Sequence, residues 1–246
     1  MYHFFVEPDQ IEEERITIFG EDVNHIGNVL RMKPGEKVLI SAEGEMDRLC
    51  GIEEIRRDEV ICRILEVRKE NNELPARIHL YQGLPKSDKM ELIIQKAVEL
   101  GAYRIVPVST KNTVVKLDAK KAESKVKRWN AIALAAAKQS KRSVIPEVAP
   151  VISFGQALEE VKGFDLKLIP YENADGMAKT RELLGKAAPG QNIAVFIGPE
   201  GGFDPGEIEK AKDAGTEPVT LGKRILRTET AGLCILSALM MQLDDC

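Results

Sequence analysis

The sequence is poor in the residue types that most directly declare a chemistry. Its three histidines (His3, His25 and His79) and four cysteines (Cys50, Cys62, Cys234 and Cys246) are scattered, and no two cysteines have Cys-x-x-Cys spacing. A zinc site or disulfide framework is therefore not expected, and nothing asks for a metal. Cys234 lies in an apolar helical stretch and reads as a small core residue. Neither Gly-x-x-x-x-Gly-Lys-Ser/Thr nor Gly-x-Gly-x-x-Gly occurs, which sets aside the common nucleotide cradles of kinases and dehydrogenases. No apolar run has the length a bilayer requires, and the start Met1-Tyr2-His3-Phe4-Phe5-Val6-Glu7 lacks the basic head and long apolar middle of a signal peptide. The expectation is a cytoplasmic protein with no membrane partner.

The 43% hydrophobic and 30% charged residues suffice for a sizeable core, in one large domain or two smaller ones. A net charge of −4 argues against an indiscriminate nucleic-acid binder. The distribution says more. From Lys116 to Arg142, nine Lys or Arg stand against Asp118 and Glu123, a local +7 that leaves −11 for the rest of the chain. Such a run is either a solvated helix face or a track for RNA phosphates on an otherwise acidic protein.

The first seventy or so residues are β-rich: stretches 36–41, 48–55 and 59–67 alternate apolar and polar, with turns at Gly35, Gly44 and Arg57-Asp58. Closely spaced short strands predict a small barrel. Before them, 22–32 reads as a short helix capped by Asp22 and ended before Lys33-Pro34-Gly35. Arg31, at its end, reads on position alone as a solvated cation favoured by the helix dipole. The breaker-rich Glu70-Asn71-Asn72-Glu73-Leu74-Pro75 divides the chain into domains 1–72 and 73–246.

Beyond it, strand and helix alternate: extended 77–82, 104–108, 165–169, 193–197 and 218–221, and helical 88–100, 119–141, 153–161, 205–214 and 228–243. That order predicts an α/β fold of parallel strands with crossover helices, which topology rules would wind without a knot. Lys86 and Lys89 put positive charge at a helix start, against the dipole, so a reason other than stability is sought for them. Gln139, Ser140 and Arg142 fall where the long helix runs out and serve either capping or a nucleotide. The sole tryptophan, Trp129, has apolar neighbours at helical spacing and reads as core. The last helix is apolar nearly all round and needs cover from a large core or a partner subunit.

Two stretches organise the rest: Ile197-Gly198-Pro199-Glu200-Gly201-Gly202-Phe203, and Leu221-Gly222-Lys223-Arg224-Ile225-Leu226-Arg227-Thr228-Glu229-Thr230-Ala231. Each follows a buried-strand pattern, which predicts two strand ends side by side, with Pro170-Tyr171-Glu172 as a third wall. Ligands collect at the carboxyl ends of such strands, and glycine lets them approach the peptide plane. The reading is a pocket walled by backbone; the alternative is a tight strand-to-helix turn.

Taken together, these loops resemble the cofactor-binding loops of the SPOUT superfamily of S-adenosylmethionine methyltransferases. More narrowly they resemble the RsmE family, which methylates N3 of a uridine in small-subunit (16S) ribosomal RNA. The resemblance extends to His25-Ile26-Gly27-Asn28-Val29-Leu30-Arg31, to the run from Lys86 to Gly101, to Arg128-Trp129 and to Gln139-Ser140-Lys141-Arg142. It implies a SPOUT trefoil-knot domain preceded by a small PUA-like RNA-binding β-barrel, a homodimer, and ribosomal RNA or the small ribosomal subunit as partner. It further implies that S-adenosyl-L-methionine is held by Leu168, Pro170 and Glu172, by Ile197, Gly198, Gly201 and Gly202, and by Leu221, Gly222, Ile225, Leu226, Thr230 and Ala231. RNA contacts are expected from Arg31, Lys86, Lys89, Gln139, Ser140 and Arg142.

Methylating a uracil N3 requires loss of an imide proton and stabilisation of the anion left behind. Arg227 is the expected cation for that charge, its alternative being an ion pair with Glu200 or Glu229. Glu200 is expected either as general base or as an anchor for the cofactor. The alternatives are an RNA-binding assembly factor with an inactive SPOUT fold, and a knotted methyltransferase acting on another RNA. Thr110-Lys111-Asn112-Thr113-Val114-Val115 departs from the family pattern, which is expected to alter RNA contacts and not the cofactor site.

Overall fold

The computed structural model describes all residues except 43, 44, 69–71, 173, 175, 245 and 246. The turn at Gly44, Glu70 and Asn71 of the linker, and Cys246 thus lie outside the described residues. The chain forms two compact units, Met1–Glu73 with Ala137–Val144, and Leu74–Ala136 with Ile145–Cys246. The first unit is therefore discontinuous. It takes the end of the long helix from what a contiguous division at 72/73 gives to the second.

In the first unit, β1 (Tyr2–Phe5), β2 (Arg15–Phe19), β3 (Lys37–Ser41), β4 (Arg48–Ile55) and β5 (Glu59–Val67) form one sheet in the order β1-β3-β4-β5-β2. Register shifts between Leu49 and Cys50 and between Ile52 and Glu54 bend β4 against β5, which curls the sheet around Phe4, Ile16, Ile18, Val38, Ile40, Ile52 and Val60. The helical stretch opens one residue earlier than the sequence suggests, as α1 (Glu21–Asn24) running into a π-helical turn over His25–Val29. Its N-cap is Gly20, at φ +76°, and not Asp22, which falls in the first turn and pairs through its carboxylate with Lys138 Nζ at 2.7 Å. The same unit buries a polar chain: His3 Nε2 lies 2.7 Å from Ser41 Oγ, Ser41 donates to Asp47, and Ser143 Oγ donates to Asp47 Oδ2 at 2.6 Å.

In the second unit, β6 (Arg77–Gly83), β7 (Ala102–Ser109), β8 (Glu147–Val148), β10 (Leu166–Pro170), β11 (Asn192–Ile197) and β12 (Glu217–Val219) run in the order β12-β10-β11-β6-β7-β8, with β9 (Ile152–Ser153) beside β7. All these pairings are parallel. Crossovers include α2 (Lys89–Glu99), α3 (Ala119–Ser140), α4 (Phe154–Glu160), α5 (Met177–Leu184) and α6 (Pro205–Asp213), and α7 (Thr228–Asp244) closes the chain. α4 and α6 open on the capping boxes their sequences carry, Ser153 with Gln156 and Asp204 with Glu207. Strands β11 and β12 are not neighbours as expected; β10 pairs with both and lies between them. Apolar runs mark parallel strands as buried without recording their order in the sheet.

Trp129 is buried at 3% exposure. The last helix buries one face through Ile235, Leu236, Leu239 and Leu243 and leaves Cys234 exposed, so Cys234 is not the core residue it was read as. No helix among the described residues is long and apolar enough to cross a membrane.

Candidate active site

Strands β6, β10, β11 and β12 end at one edge of the sheet, at Gly83, Pro170, Ile197 and Val219. The loops that follow β10, β11 and β12 enclose a cleft of about 930 Å³, within the size range of small-molecule sites. Glycine is required where the backbones crowd. A Cβ at Gly83 would stand 2.6 Å from Pro199 N, and Gly202 closes a turn at φ +65° by donating its N–H to Pro199 O at 2.9 Å.

The glycine loop is held from two sides. After β7, Asn112 Nδ2 donates to Gly201 O at 3.1 Å and Gly202 O at 3.2 Å, and Lys111 Nζ pairs with Asp204 Oδ2 at 2.7 Å. The atypical 110–115 stretch therefore braces the cleft, and its effect is not confined to RNA contacts. At the start of α2, Lys86 N donates to Glu200 Oε1 at 3.0 Å, while Lys89 Nζ sits 3.0 Å from Glu200 Oε1 and 3.4 Å from Glu229 Oε2. Partial burial acts to raise the Glu200 pKa, but its own backbone N–H, Lys89 and the Lys86 N–H prevail and hold the carboxyl below the usual range. A carboxylate so stabilised is a poor proton acceptor. This geometry argues against Glu200 as general base and makes it the tie between the glycine loop and α2.

Arg227 differs. Its side chain is exposed at the cleft and makes no ion pair among the described residues, since Lys89 occupies both Glu200 and Glu229. Of the residues expected at the cofactor, Pro170, Glu172, Ile197, Gly198, Gly201, Gly202, Leu221, Gly222, Ile225, Leu226 and Ala231 line the cleft. Leu168 does not: it lies two residues before the end of β10 and is wholly buried in the sheet. Thr230 also stays out, because one helical step from Ala231 turns it to the exposed surface of α7.

The expected RNA contacts scatter. Lys89 lines the cleft, and Lys86 is exposed beside Glu200. Arg31 is exposed just past the helical turn, in a left-handed conformation at φ +54°. Gln139 is exposed and Ser140 half-buried at the end of α3. Arg142 is a correction: at 3% exposure its guanidinium forks onto Glu73, with Nε at 2.9 Å from both carboxylate oxygens, and it is closed to RNA.

Sequence reasoning passed over Gly83, Thr220 and Met177, and read Asn112 only as part of a stretch that alters RNA contacts. Gly83 carried a signal, as a glycine ending a buried strand pattern. Asn112 carried none, because its partners lie about ninety residues away.

A family model described as an RNA methyltransferase domain matches residues 72–240, and one described as an RNA methyltransferase PUA domain matches residues 19–65. The chain is 38% identical to a Bacillus subtilis protein named ribosomal RNA small subunit methyltransferase E, across 99% of this chain and 98% of that one. A protein of the same name from Mesomycoplasma hyopneumoniae is 37% identical across 96% of this chain and 98% of its own. The crystal structure of the Neisseria gonorrhoeae ribosomal RNA small subunit methyltransferase E, bound to S-adenosyl methionine, superposes with a TM-score of 0.86 at 32% identity, covering 98% of this chain and 97% of that one. Parallel sheet, glycine-walled cleft and full-length kinship agree, and the chain belongs to the ribosomal RNA small subunit methyltransferase E family, the RsmE branch of the SPOUT methyltransferases.

Proposed function

We propose that this chain transfers a methyl group from S-adenosyl-L-methionine to N3 of a uridine in 16S ribosomal RNA, acting as a homodimer in the cytoplasm. The observation that carries the reading is the pairing of a backbone-walled cleft with an exposed Arg227 whose charge no carboxylate among the described residues takes up. The cleft suits the cofactor. Glycine backbone at 198, 201, 202 and 222 would hold its polar edges, and Ile197, Leu221 and Leu226 would pack its apolar ones. When bound, S-adenosylmethionine supplies an electrophilic methyl carbon.

The chain's own residues then divide the work. Lys89 and Asn112 fix the glycine loop, so that the acceptor base meets a preorganised wall. Arg227 neutralises the charge that develops on the uracil O2 or O4 as the N3 proton passes to solvent water. The exposed Lys116, Lys120 and Lys127 form the phosphate track, with Lys121 beside them paired to Asp118, whereas Lys138 and Arg142 are spent on Asp22 and Glu73. Domain 1–72 contributes RNA docking, and 73–246 the chemistry and the knot. The uncovered face of α7, with Met241 at 67% exposure, is the dimer surface.

The test is nucleoside mass spectrometry of ribosomal RNA from cells lacking the gene, before and after treatment of their small subunits with the protein and labelled cofactor. Loss and restoration of 3-methyluridine is expected. An unchanged nucleoside profile with intact cofactor binding would refute the acceptor and leave the fold standing.

A further inference from the structure

Beneath the cleft runs a chain of hydrogen bonds that neither glycine loop needs for its own turn. Gln82 is wholly buried at the end of β6, and its Nε2 donates both to Gly83 O at 2.9 Å and to Thr228 Oγ1 at 2.9 Å. Thr228 Oγ1 in turn donates to Gly198 O at 2.6 Å. The direction of this relay is fixed by chemistry. Gly83 O can only accept, so the amide must present its NH₂ group on that side; the hydroxyl, having accepted from it, must pass its own hydrogen to Gly198. The arrangement leaves Gln82 Oε1 buried without a partner among the described residues, a cost that a purely apolar filler at this position would not carry.

Thr228 is the first residue of α7, 6% exposed, and Arg227 immediately precedes it. The Arg227 carbonyl accepts the Ala231 N–H at 2.8 Å, which makes Arg227 the entry residue of the helix. Its guanidinium has no ion pair among the described residues, so the backbone beneath it must decide where the cation stands.

We infer that Thr228, aligned by Gln82, is the positioning residue for Arg227: it bolts the first turn of α7 to the glycine loop and so sets the cation over the cleft. The inference rests on the methyl-transfer reading and on the part that reading gives to Arg227. Thr228→Val keeps the side-chain shape and removes the hydroxyl, Thr228→Ser keeps the hydroxyl, and Gln82→Met keeps the length and removes the donor. Each is assayed beside the wild type for kcat on small subunits, for cofactor Kd and for thermal midpoint.

Thr228→Val and Gln82→Met are expected to lower kcat by about tenfold or more while cofactor Kd stays within about twofold. Thr228→Ser should match the wild type, and the Thr228→Val, Gln82→Met double variant should be no worse than either single one, because one relay is broken in all three. An unchanged kcat in Gln82→Met, or a Thr228→Val whose kcat, cofactor affinity and thermal midpoint fall together without rescue by serine, overturns the inference. A wild type without turnover refutes the methyl-transfer reading instead. In that case hydrogen exchange at the Ala231 amide still decides the positioning: equal protection in wild type and Thr228→Val would overturn it.

Discussion

In the first unit, Asp47 accepts from Ser41 and Ser143, and Arg142 is forked onto Glu73, all but shut away from water. In the second, Lys89 shares itself between Glu200 and Glu229 on a rim whose side chains are 18–29% exposed, and Arg227 stands without an ion pair among the described residues. The residue types are the same and the settings opposite. A buried, fully bonded pair has met its electrostatic demand internally and can only hold the fold. A half-exposed cluster with one cation left over has a demand that a ligand can meet.

The sharpest way to break this comparison is to exchange expectations between the two arginines. Arg142→Ala leaves the half-buried Glu73 carboxylate with the Ser143 and Val144 N–H groups but without its ion pair, and should cost about 1–3 kcal/mol of stability, read as a lowered urea midpoint, with catalysis per folded molecule retained. Arg227→Ala should do the reverse. Stability stays within about 0.5 kcal/mol, while kcat falls by about 10²–10³-fold. If Arg227→Ala turned over normally, the charge-neutralising role given to Arg227 would be refuted and the anion would have to be stabilised by another group.

Gly83→Ala tests the cleft wall. Its Cβ would meet Pro199 N at 2.6 Å, so the loop must shift at a cost of about 1–3 kcal/mol, and cofactor affinity measured by calorimetry should fall with it.

The smallest effect concerns pH. Burial first of all, helped by Lys138 and Lys141 and opposed by Asp47, lowers the His3 pKa to about 4, and burial likewise lowers that of His79 to about 4. The folded state then resists a proton that the unfolded chain accepts near the ordinary pKa of about 6.5, so stability is full above that value and is lost as pH falls towards 4. Hydrogen exchange should show this slope in both units, and His3→Gln should flatten it in β1 and β3 alone.

Most of the fold was legible because it obeys period and punctuation. The limits of β4 and β5 follow from alternation between turns, and α4 and α6 begin at their capping boxes. The two glycine loops announced the cleft for a similar reason, since close backbone approach needs glycine whatever the ligand. What escaped was relational. The place of β10 between β11 and β12, the burial of Arg142 and the hold of Asn112 on Gly201 depend on partners distant in sequence. Leu168 shows the finest version: the right strand was identified, and two residues of register separate a wall of the cleft from the interior of the sheet.

The borrowing of Ala137–Val144 by the first unit also sets a timetable for synthesis. A ribosome must deliver residue 144 before Glu73 meets Arg142 or Asp47 meets Ser143. By then β6 and β7 are already out, but β11, which covers the other edge of β6, does not begin until Asn192. At roughly 5–20 residues per second, β6 waits several seconds with that edge unpaired. The nascent chain is then most exposed to mispairing in the strand that later ends at the cleft.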